Sequence, residues 1–131
     1  MSIKTYITAL FVFFIIYLIF FGLIAAKLYR HYLGALMADK VNWPAALIFY
    51  GIFISGLVYF VIEPAMIKQS LSFAVGAGAF FGFITYATYD LTNLATLKDW
   101  PLPITIIDLI WGSVLSASVS GISYFILQKF Q

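Results

Sequence analysis

Four stretches of the chain carry no charged side chain: residues 5–26, 41–62, 69–89 and 109–128, which are 22, 22, 21 and 20 residues long. Each matches the roughly 20 residues that an α-helix needs to cross about 30 Å of hydrocarbon. In that medium every backbone polar group must be satisfied within the segment, so runs of this length fold as helices. The expectation is an all-α membrane protein: an antiparallel bundle of four transmembrane helices, at about 4–30, 43–63, 70–96 and 103–129. This is one transmembrane domain over 1–131 with no soluble domain. Composition agrees, with 64% hydrophobic and only 9% charged residues, against about 25% charged in ordinary soluble domains.

The chain begins Met1-Ser2-Ile3-Lys4 and then runs apolar well beyond the 7–15 residues of a secretory core, so it reads as a retained first helix. That helix is rich in Phe, Ile and Leu, which suits lipid contact. Asn42-Trp43-Pro44 starts the second helix, with Pro tolerated in a first turn. Glu63-Pro64 is expected to close it, because the residue before Pro is pushed out of the α region. Gly78 and Gly82 on the third helix and Gly112, Ser116 and Ser120 on the fourth are spaced by four, which lets membrane helices approach closely. No strand precedes these glycines and no Lys-Ser/Thr pair follows, which argues against a phosphate loop. Trp43 and Trp100 are expected as interfacial anchors.

The net charge of +2 is too small for a nucleic-acid reader, so no nucleic-acid partner is expected. With no Cys and a single His, His31, the chain lacks a thiolate nucleophile and a zinc or haem ligand set. Neither cofactor nor metal is expected. Ser113, Ser116, Ser118 and Ser120 have no neighbouring His to activate them and read as packing residues. Lys and Arg divide three against four between the two membrane faces, too even to fix orientation; their concentration in the first loop leans it towards the cytoplasm.

Polar groups gather in residues 85–93 and continue to Asp108 and Trp111. Tyr86, Asp90 and Asn93 fall at i, i+4 and i+7 and share one face of the third helix. Asp108 and Trp111 lie near the start of the fourth helix, on the same side of the membrane. If the two faces meet, Tyr86, Tyr89, Asp90, Asn93, Asp108 and Trp111 line one binding pocket. Two carboxyl groups together in low dielectric do not both ionise easily, so a shared proton is expected there. The alternative is an interhelical clamp, with Asp90 bonded by Asn93, Thr92 or Tyr86 and Asp108 by Thr105 or Trp100. No residue is singled out as catalytic.

The run Thr88-Tyr89-Asp90-Leu91-Thr92-Asn93-Leu94-Ala95-Thr96, followed by Asp99-Trp100-Pro101 and by Asp108 and Trp111-Gly112, resembles a family of small bacterial predicted membrane proteins. That family is catalogued as a domain of unknown function. The resemblance implies four helices and a multi-pass bacterial inner-membrane location. It also implies an Asp and a Trp late in the first helix, where this chain has Tyr17 and Phe20, leaving it without a third acid.

Three functions follow as expectations. The first is a small binding, transport-type or accessory protein whose pocket at Asp90 and Asp108 takes a proton, cation or substrate. The second is a membrane-embedded enzyme, or enzyme partner, acting on a lipid or isoprenoid; the third is a structural subunit of a membrane complex. Missing nucleophile, metal and cofactor signatures place catalysis last. Expected partners are the lipid bilayer, a lipid or small-molecule ligand, and a second copy or another membrane protein.

Overall fold

The computed structural model describes residues 2–130. Four helices are long and apolar enough to cross a membrane: α1 (Ile3–Leu36), α2 (Trp43–Lys68), α3 (Leu71–Thr96) and α4 (Leu102–Lys129). Three start on a side chain that accepts from a free backbone N–H. Ser2 Oγ takes Thr5 N–H at 3.2 Å, Asn42 Oδ1 takes Ala45 N–H at 3.2 Å, and Ser70 Oγ takes Phe73 N–H at 3.0 Å. The fourth begins after Pro101 and has Pro103 in its first turn.

Pro64 does not end α2 as expected. A π-helical turn over Val58–Ile62 precedes it, and the helix then continues through Glu63–Lys68. Proline lacks an N–H and crowds the carbonyl four residues back, here that of Phe60. The π turn contains that carbonyl, so the wider winding accommodates the ring. The helix stops instead at Gln69, in the left-handed region with φ 53°. There Ser70 N–H donates to Ala65 O at 3.1 Å and Gln69 N–H to Met66 O at 3.3 Å, closing a tight reversal into α3.

α4 is the centre of the bundle. Of its most hydrophobic stretch 44% is buried by protein, against 33% for α2 and 17% each for α1 and α3, whose remaining faces meet lipid. The pairing of α3 with α4 is the most extensive in the molecule. A Cβ built on Gly82 would lie 2.0 Å from the Gly112 carbonyl oxygen, and one on Gly78 would lie 2.8 Å from that of Ser116. The two backbones therefore touch, and only glycine fits on the α3 side. Ser116 and Ser120 are wholly buried along this seam, and their hydroxyls have no hydrogen-bond partner among the described residues. Their small size is what the seam uses.

Across α4 from that seam, Phe13 of α1 and Phe53, Ile54 and Leu57 of α2 pack with Leu115 and Val119. Trp43 is 59% exposed, as suits an anchor at the membrane edge. Trp100 is not an edge anchor: it is buried, because its indole N–H donates to Thr105 Oγ1 at 3.0 Å and its ring meets Tyr89 edge-on at 5.8 Å. A paired N–H lets the indole leave the water interface.

Candidate functional site

Where α1 and α3 end and α4 begins, the helices separate around a cavity of about 470 Å³. α1 contributes Tyr17, Phe20, Phe21, Ala25 and Tyr29; α3 contributes Thr85, Tyr86 and Tyr89; α4 contributes Asp108 and Trp111. Phe49 of α2, Leu33 and Met37 at the end of α1, and Trp100 complete the wall. The size is that of a small-molecule site, and so is the composition: apolar and aromatic walls with few polar groups.

The contribution of α1 depends on a local change of winding. At about 100° per residue, twelve residues of regular α-helix would leave Tyr17 and Tyr29 about 120° apart. The π turn over Phe21–Ala25 takes up roughly one extra residue. Removing one residue's rotation brings the two tyrosines to within about 20°, so both face the cavity. Gly22 has open space around it and does not force the turn sterically.

On this wall the Tyr29 hydroxyl donates to Asp108 Oδ1. Phe20 stacks on Trp111 with ring centroids 3.5 Å apart and planes at 11°. Tyr86 lies over Gly112, where a Cβ would come within 2.4 Å of the ring, so glycine is what allows the tyrosine to cross α4 there. Behind Asp108, Asp90 is wholly buried, and no hydrogen-bond donor reaches either of its carboxylate oxygens among the described residues. The group that faces it is the carboxyl of Asp108.

Of the six residues singled out by sequence, Tyr86, Tyr89, Asp108 and Trp111 line the cavity. Asp90 forms the layer beneath Asp108. Asn93 is half-buried beside Tyr89 and does not line the cavity. Of the clamp partners weighed for the two acids, Trp100 and Thr105 bond each other and Asn93 lies against Tyr89.

Sequence reasoning passed over Tyr17, Phe20 and Tyr29. Tyr29 stands between Lys27 and Arg30 and reads as an interfacial residue, while its relation to Tyr17 is hidden by the π turn. The one available signal was the resemblance, which drew attention to positions 17 and 20.

Chemically the two acids are acceptors, and among the described residues the hydroxyl that donates to them is that of Tyr29, on Asp108. A shared proton, a cation or a donor on a ligand would satisfy them. Among the described residues no three of His, Cys, Asp and Glu cluster as a metal site.

No curated protein and no solved structure matches the chain. Residues 2–125 match the model of a family described as predicted membrane protein, DUF2177. The match covers nearly the whole chain, including every cavity-lining residue and all but the last residues of α4; the chain belongs to this family of membrane proteins of unknown function.

Proposed function

We propose that this is a small-molecule binding protein of transport or accessory type in the bacterial inner membrane. In this reading a ligand occupies the aromatic cavity with its polar end against Asp108. The observation that carries it is the arrangement at the cavity floor. Asp108 lines a space large enough for a small molecule, and a second, fully buried carboxyl, that of Asp90, pairs with it away from the cavity. Acids within membrane spans are rare, face the bundle interior and commonly mark ligand, ion or proton pathways. A merely structural polar contact would leave neither a cavity of this size beside it nor an acid facing another acid.

The test is to purify the protein into lipid nanodiscs and identify what co-purifies by native mass spectrometry, for the wild type and for Ala25→Phe. Ala25 is buried and borders the cavity, so a phenyl ring there would project into it and take up part of its volume. A bound species present in the wild type and lost in Ala25→Phe supports the reading. Retention of the same species in both would place it on the lipid-facing surface and remove the support.

A further inference from the structure

We propose that the occupant of the cavity is an organic cation, an amine or quaternary ammonium group carried on a hydrophobic body. This deepens the binding reading above and rests on it. Three independent features of the site point to positive charge.

The first is the balance of donors and acceptors. Asp90 has no protein donor to either oxygen, and Asp108 receives one, from Tyr29. Asp108 opens onto the cavity with the sealed Asp90 carboxyl against it, so a cation beside Asp108 meets the negative charge the pair carries, with or without an N–H to donate.

The second is the absence of any compensating base. Among the described residues no Lys, Arg or His borders the cavity; Lys27 and Arg30, the nearest in sequence to Tyr29, are exposed. An anion entering here would meet two acids without a counter-charge.

The third is the nature of the walls. Tyr17, Phe20, Tyr29, Tyr86, Tyr89 and Trp111 surround the space, and the faces of aromatic rings attract cations, most strongly when water is excluded. An inorganic ion is a poor match. It needs several oxygen ligands, whereas these walls are hydrocarbon except near Asp108, and the space is far larger than a bare ion.

Benzyltrimethylammonium is a probe of suitable size and charge. Its binding to the nanodisc-embedded protein can be followed by calorimetry and by the fluorescence of Trp100 and Trp111. The controls are neopentylbenzene, its uncharged isostere, benzyl alcohol and benzenesulfonate.

The expected result is that the ammonium binds at least about tenfold more tightly than the isostere, the size of a buried cation–aromatic and ion-pair contribution. Asp108→Asn should abolish that preference, while Asp108→Glu, which keeps the charge, should retain it and so exclude misfolding as the cause. Equal binding of the isostere or the alcohol, still lost in Ala25→Phe, would overturn the cationic assignment and leave the cavity as a binding site. Failure of all four probes to bind the wild type would overturn both.

Discussion

The α3–α4 seam and the cavity above it are built from the same two helices only a few turns apart, yet they follow opposite rules. Along the seam, Gly78 and Gly82 meet the backbone of Gly112 and Ser116 so closely that a single methyl group has no room. Toward the end of the membrane span the same helices carry Tyr86, Tyr89 and Trp111, and α1 turns Tyr17, Phe20 and Tyr29 into the gap. Small residues bring the two helices into contact along the seam, and large aromatic residues line the cavity beyond it. On the binding reading proposed above, the lower half carries stability and the upper half specificity, and substitutions should separate the two.

The largest effect is expected from Gly82→Leu. A Cβ alone would stand 2.0 Å from the Gly112 oxygen, and overpacking well beyond about 3 kcal/mol should leave no monodisperse protein on size exclusion. A well-behaved Gly82→Leu protein would break the division at once. Next comes Trp111→Ala, which removes the ring stacked on Phe20 and should cost about 3 kcal/mol in a denaturant titration. The bundle should still assemble, because the seam is untouched.

Tyr29→Phe removes the donor to Asp108 while keeping the ring, and should lower stability by about 1 kcal/mol in thermal unfolding. Asp90→Asn should act in the opposite direction. Its carboxamide supplies N–H donors to Asp108, so stability should rise by about 0.5–1 kcal/mol while ammonium binding falls. A gain in stability together with a gain in binding would show that the acid pair is not kept for a ligand. Smallest is Pro64→Ala, which should shift stability by less than about 0.5 kcal/mol, since the π turn over Val58–Ile62 already absorbs the proline.

Much of the fold was legible because hydrocarbon imposes simple rules. The four charge-free runs located the spans, and Ser2, Asn42 and Ser70 cap helices as their side-chain chemistry suggests. The seam could be read from Gly78, Gly82, Gly112 and Ser116, because close approach demands small residues at fixed spacing. The site was read only in part. Tyr86, Asp108 and Trp111 stood out as polar or aromatic groups on two helices already paired by that seam. The wall from α1 was not legible: its aromatic residues have the composition of a lipid-facing helix, and the π turn shifts their periodicity midway. Trp100 was misplaced for a related reason, since composition reveals a preference for interfaces but not that Thr105 would satisfy the indole within the protein.

The π turn in α1 has a consequence for how the site is written into the gene. One residue looped into the middle of a helix keeps the segments on either side in phase only while it stays looped. Deletion of Gly22 would leave a regular helix in which residues 26–36 keep their phase, whereas rewinding the turn as α-helix with every residue kept would turn them by about 100° relative to the rest. On such rewinding Tyr29 would swing from Asp108 towards lipid with no side chain near the acids altered. The placement of the hydrogen-bond donor to Asp108 is thus set by how α1 is wound and not by its count of residues alone.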